Sequence, residues 1–209
     1  MKLLVATRSG GKQREMRRML ELPGLTVLFP DDVGVPESAV EDALEVHESF
    51  EGNARAKALH FAQKTGLPTL GDDAGLEVLS LGGAPGVRSK RWAGATGTEA
   101  EIGAANIVAL LARLVGAPPE RRRAQFRCVL AYYATPTAVP LIFEGRSSGR
   151  ILEAPVGAGG FGYDPVFLND ELGSSFGEAD AASKDAVSHR GRAVSAFRAH
   201  LQTVLQEAG

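Results

Sequence analysis

The 209-residue chain suits one globular domain, or two lobes sharing one core, and its 44% hydrophobic and 23% charged residues exclude wholesale disorder. Its 23 Lys and Arg against 25 Asp and Glu leave a net charge of −2, which argues against a nucleic-acid-binding face. No run approaches the ~20 apolar residues of a membrane span, residues 1–7 are too short for a signal peptide, and the single cysteine, Cys128, has no internal disulfide partner, so a soluble cytoplasmic protein is expected.

In chain order, residues 2–7 read as a strand feeding the turn Thr7-Arg8-Ser9-Gly10-Gly11, and a helix follows over 12–22 on the stripe Met16, Met19, Leu20. Thr26 to Phe29 reads as a short buried strand, so the chain opens as an α/β fold. Residues 36–48 are acidic and read as an exposed loop. A helix is predicted from Phe50 to Gln63, with Phe50, Ala54, Ala58 and Phe61/Ala62 on one stripe and Asn53 and Lys57 sharing another face. Residues 69–71 and 76–79 read as short strands on either side of a glycine-rich turn carrying Asp72 and Asp73. Residues 82–97 read as an ordered loop. Thr98-Glu99-Ala100-Glu101 is a capping box that opens a helix ending near Val115. Runs 124–134 and 139–147 are β-rich and joined at Thr135-Pro136-Thr137, the strongest hairpin signal in the chain. Ser188 is expected to cap a last helix on the stripe Val194, Phe197, Leu201 and Val204/Leu205. The linker-like stretches 30–44 and 116–121 read as loops inside one domain spanning residues 1–209.

The 25 glycines exceed the usual ~7% and concentrate at 10–11, 71–86 and 157–162, beside polar residues, which suggests binding loops. Familiar motifs fail on inspection. Gly157 to Gly162 matches a dinucleotide fingerprint by letter, but Pro165 and the β-prone Val166-Phe167 prevent the helix that the motif must open. Gly11-Lys12 lacks the first glycine and the Ser/Thr of a P-loop, and four scattered histidines give no zinc constellation.

Three features remain. Thr7 to Lys12 sets hydroxyls, main-chain donors, a helix start and an ammonium together, a combination suited to a polyphosphate. Asp72 and Asp73 are adjacent, and on an extended backbone only one of them would face a given cleft; there it could bind a hard cation or accept a proton from water. Lys184 and Ser188-His189-Arg190-Gly191 cluster cationic donors at a helix start, against the helix dipole.

In this order, Thr7-x4-Lys12-x2-Glu15, Phe50-Glu51-Gly52-Asn53-Ala54, Asp72-Asp73-Ala74-Gly75-Leu76, Gly82-Gly83-x-Pro85-Gly86-Val87, Gly159 to Pro165 and Ser188 to Gly191 resemble the noncanonical purine nucleoside triphosphate pyrophosphatase family, the dITP/XTP or inosine triphosphatase-like enzymes. The resemblance covers nearly the whole length. It implies hydrolysis of dITP, ITP, XTP or dXTP to the monophosphate and pyrophosphate with Mg²⁺. The implied fold is a long, mixed, twisted sheet flanked by helices in two lobes, with the site in a central cleft and a homodimer as the usual state.

Carried onto matching positions, the resemblance makes Thr7, Arg8, Ser9, Gly10, Gly11 and Lys12 a phosphate cradle, with Lys57 a further cation. It makes Asp73 the general base and a metal-linked carboxylate, with Ala74 beside it a substrate-binding position and Glu45 the second metal ligand. Phe161, Gly162, Tyr163, Asp164, Lys184, His189 and Arg190 line the base pocket. The chain departs from the family at Ser9, where Asn is usual, at Ala74, where Ser is usual, and at Gly52, a frequent Glu position. The alternatives are a pyrophosphatase of pyrimidine or modified nucleotides and a nucleotide-binding module without turnover.

Overall fold

The computed structural model describes residues 1–207. Its strands are β1 (Lys2–Ala6), β2 (Thr26–Leu28), β3 (Thr69–Val78), β4 (Arg123–Tyr133), β5 (Leu141–Ile151) and β6 (Phe167–Asn169). They form one mixed sheet in the order β2-β1-β3-β4-β5-β6, parallel among the first three and antiparallel between β5 and β6. The helices are α1 (Gly10–Met19), α2 (Phe50–Thr65), α3 (Glu99–Arg113), α4 (Ala181–Val187) and α5 (His189–Glu207). The chain divides into two compact units. The first holds Met1–Asp73, Cys128–Gly145 and the chain from Arg192 onward; the second holds Ala74–Arg127 and Arg146–Gly191.

In the first unit, β1 has Leu3, Leu4, Val5 and Ala6 buried, the pattern of a parallel strand covered on both faces. The chain runs β1-α1-β2 to one side of β1 and then through α2 to β3 on the other, so the carboxyl end of β1 is a switch point, where open α/β sheets bind ligands. The register Ala6↔Gly71 sets Thr7 and Asp72 as the next residues at that end. Gly71 is required there, because a Cβ would run into the Ala54 carbonyl and Ala58 of α2. Helix α2 is held at its start by Ser49 Oγ, which accepts from Gly52 N at 3.1 Å, and is stopped by Gly66 in the left-handed region.

The core of the second unit gathers Leu76 and Val78 of β3, Ile107 and Leu110 of α3, Phe126 of β4, and Phe167 and Phe176. The Phe126 and Phe167 rings lie 4.7 Å apart in an edge contact. The capping box is present, with Thr98 N donating to Glu101 Oε2 at 2.8 Å.

Several expectations need correction. Residues 69–78 form one strand rather than two strands around a turn, so the tandem aspartates sit on a pleated backbone. Helix α1 spans 10–19, not 12–22, because Ser9 caps it and draws both glycines and Lys12 into its first turn. The sequence reading missed α4, opened by Asp180 accepting from Ser183 N at 2.9 Å, and the three-residue β6. Lys184 therefore lies in the last turn of α4, where a cation suits the dipole, not at a helix start. Ser188 does cap α5, accepting from Gly191 N at 2.9 Å.

Candidate active site

The chemistry-bearing residues of the first unit collect where β1 ends alongside the middle of β3. Pleating turns the two aspartates to opposite faces of β3. The fully buried Asp72 pairs through Oδ1 with Lys12 Nζ and accepts from Cys128 Sγ at 3.2 Å through Oδ2. Asp73 accepts from Lys57 Nζ at 2.9 Å on Oδ1 and from Asn53 Nδ2 at 3.0 Å on Oδ2. Lys57 also donates to Glu45 Oε1 at 2.9 Å, so one ammonium holds both carboxylates. The second α2 face, Asn53 and Lys57, is buried along with the apolar stripe beside it.

Burial alone would lower the Lys57 pKa, but the charges of Asp73 and Glu45 outweigh it and push the pKa well above the ordinary lysine value. The side chain stays an ammonium throughout the physiological range. Among the described residues no group of three or more His, Cys, Asp or Glu could hold a metal ion. The pair Asp73 and Glu45 is nonetheless a hard-oxygen donor set of the size Mg²⁺ takes from protein when phosphates supply further ligands.

Around the β1–α1 turn, Ser9 Oγ accepts from Lys12 N and Gln13 Nε2 donates to the Thr7 carbonyl at 3.1 Å, which fixes the loop from both sides. The loop leads into the positive end of α1, whose first turn carries no acidic residue. The Arg8 guanidinium points elsewhere. It grips Glu41 with Nε at 3.0 Å and Nη2 at 2.8 Å, pairs with Asp31, and donates to the Val35 carbonyl at 2.9 Å. The loop that the sequence presents as merely acidic and exposed is tied to the β1–α1 turn through Arg8.

In the second unit, Asp164 Oδ2 accepts from Phe161 N at 2.7 Å and from Lys184 Nζ at 2.6 Å. Gly160 makes that turn possible, since its φ is +71° and a Cβ would strike the Asp164 carboxylate. Lys184 Nζ lies 5.0 Å from the Phe161 ring centroid and the Arg190 guanidinium 5.7 Å from it. His189 stacks on Phe126, with centroids 4.6 Å apart and planes at 11°. A Cβ on Gly103 of α3 would meet the Gly162 backbone at an ordinary contact distance of 3.6 Å, and Gly162 itself takes a φ of +59°. The Tyr163 hydroxyl donates to the Ser89 carbonyl at 2.9 Å, and burial pushes the phenol well above its usual pKa. Ala74 follows Asp73 on β3 and is half-buried.

Sequence reasoning gathered Phe161, Asp164, Lys184 and Arg190 into one cluster, and the second unit holds them so. It missed Asn53 as a ligand of Asp73, Asp72 and Cys128 as partners behind Lys12, and Phe126 as the plate behind His189. Only Asn53 carried a signal, as a polar residue flanking the apolar stripe of α2.

A family model described as the Ham1 family matches residues 3–200. The chain belongs to the Ham1 family. A dITP/XTP pyrophosphatase of Yersinia pseudotuberculosis is 45% identical to this Ham1-family chain over 194 residues, 92% of this chain and 94% of that protein. A dITP/XTP pyrophosphatase of Frankia alni is 44% identical over 208 residues, 99% and 98% of the two chains. Among solved structures, a HAM1 protein from Coxiella burnetii superposes with a TM-score of 0.82 at 36% identity, covering 99% of both chains.

Proposed function

We propose that this Ham1-family protein is a nucleoside triphosphate pyrophosphatase that hydrolyses dITP, ITP, XTP and dXTP to the monophosphate and pyrophosphate, clearing deaminated purines from the nucleotide pool. The observation that carries the reading is the pair of carboxylates, Asp73 and Glu45, held by one buried ammonium, that of Lys57, beside the carboxyl end of β1.

The main chain of the Thr7–Lys12 turn, with Lys12 and Lys57, receives the phosphates: the turn offers main-chain donors and a helix dipole, and the two ammonium groups offset developing charge. Asp73 and Glu45 would hold Mg²⁺, which when bound neutralises phosphate charge. Asp73 also orients a water and takes its proton as the oxygen attacks the α-phosphorus, with pyrophosphate as the leaving group. A carboxylate has about four lone-pair sites, so its bonds to Lys57 and Asn53 leave capacity for that water. Lys57 and Asn53 fix the carboxylate plane, which places the base before the substrate arrives.

Phe161 to Asp164, Lys184, His189 and Arg190 receive the base, with Ala74 beside the catalytic carboxylate on β3. Hypoxanthine and xanthine carry an acceptor at position 6 where adenine carries a donor. A pocket of donors leaves adenine unpaired, a mismatch that can cost a factor of ~10⁴. The same reading carries a homodimer in the cytoplasm that needs neither nucleic acid nor membrane.

The test is a panel of common, deaminated and pyrimidine triphosphates with Mg²⁺. The expected result is pyrophosphate release from ITP, dITP and XTP far above that from ATP. Preference for dTTP or UTP, or binding of ITP without inosine monophosphate, would contradict the assignment.

A further inference from the structure

We propose that Arg8 and Glu41 form a positioning pair that holds the segment bearing Glu45 in its metal-binding place; the proposal rests on the metal role given to Glu45 above. Arg8 lies between Thr7 and Ser9 of the β1–α1 turn, whereas Glu41 lies four residues before Glu45 in a segment with little apolar content. That segment, 36–48, contains a short 3₁₀ turn at Asp42–Glu45 and is held to α2 at its downstream end, where Lys57 Nζ donates to Glu45 Oε1 and His47 N donates to Asn53 Oδ1, each at 2.9 Å.

The fork of the Arg8 guanidinium adds a second anchor on the upstream side of Glu45. It meets both oxygens of Glu41, at 3.0 and 2.8 Å, in the bidentate geometry that defines orientation as well as distance. Its remaining contacts, Asp31 and the Val35 carbonyl, fasten the upstream half of the same excursion. Both partners are mostly shielded from water, with 17% and 14% side-chain exposure, so the pair is screened less than a surface ion pair. The Arg8 bond holds the Glu41 carboxyl below the usual carboxylate range. One side chain thus ties the phosphate-cradle turn to the loop that delivers Glu45 to Lys57. The Arg8 side chain acts through Glu45 and needs no contact with the substrate, while its main chain remains part of the phosphate turn.

Arg8→Gln, Glu41→Gln and the double variant, each checked for native circular dichroism, separate this role from general stabilisation. Backbone hydrogen exchange over residues 43–47 should quicken by about tenfold in either single variant, and the double should be no worse, because the pair acts as one unit. Mn²⁺ alone, followed by loss of its free-ion resonance signal, should bind about 10-fold more weakly to the variants, the usual effect of removing a partner behind a metal ligand. Unchanged exchange over 43–47 in folded Arg8→Gln, unchanged Mn²⁺ affinity, or additive effects in the double variant would each overturn the proposal. Faster exchange and weaker Mn²⁺ binding in a protein whose wild type makes no inosine monophosphate would instead sink the functional reading and leave the clasp standing.

Discussion

At the scale of single residues, Lys57 is the centre of the site because it has two carboxylate partners and little water. Replacing it by Met leaves Asp73 and Glu45 facing each other without their shared cation, and urea denaturation should show a loss of about 3 kcal/mol, the usual cost of breaking a buried pair from one side. Its folded pKa lies above the unfolded value near 10.4, so its contribution to stability is complete below that pH and disappears only as the medium becomes more alkaline. Denaturation profiles at pH 7 and 9 should therefore agree in this contribution. Asp73→Asn keeps the shape of the side chain but removes the proton acceptor. Initial rates on ITP should fall by about 10³-fold with KM little changed, and a rate near wild type would remove Asp73 from the chemistry. Asp73 was legible in the sequence through the family block that contains it, and Lys57 through the resemblance and its position four residues after Asn53 on α2. Their shared hydrogen bonds were not, since no local pattern tells which lysine a carboxylate will meet.

At the scale of elements, the elements with strong local signals formed as the sequence implied: Thr98 and Glu101 open α3, Ser188 opens α5, and β4 and β5 lie side by side. Asp72 and Asp73 misled because Gly71 and Gly75 beside them read as a turn, whereas Gly71 serves close approach to α2 within a continuous strand. The short α4 and β6 were missed because a seven-residue helix and a three-residue strand carry too little periodicity. The Arg8–Glu41 tie has a pH signature. The folded pKa of Glu41 is lowered, so its stabilisation is present above the unfolded value near 4.3 and is lost as pH falls through the folded one. Glu41→Gln should remove that part of the acid limb in thermal melts between pH 3 and 6, and an unaltered limb would show that the pair contributes nothing. In the second unit, Lys184→Met strands the Asp164 carboxylate, whose side chain is only 4% exposed. Chemical denaturation should register a loss of about 3 to 5 kcal/mol, and selectivity for ITP over ATP should narrow.

At the scale of the whole molecule, function comes from topology more than from any one motif. The parallel pairing of β1 with β3 gathers residues as far apart in sequence as Thr7, Lys12 and Asp72 at the carboxyl end of β1, and α2 brings Asn53 and Lys57 to Asp73. A net charge of −2 gives no hint of a polyphosphate substrate, because the cations proposed to meet it are few and locally placed. The central claim is that Asp73 directs a water to the α-phosphorus. Hydrolysis of ITP in ¹⁸O-enriched water, with mass analysis of both products, tests it most directly: the account predicts one heavy oxygen in inosine monophosphate and none in pyrophosphate, whereas label in pyrophosphate, or release of labelled orthophosphate with inosine diphosphate, would contradict it.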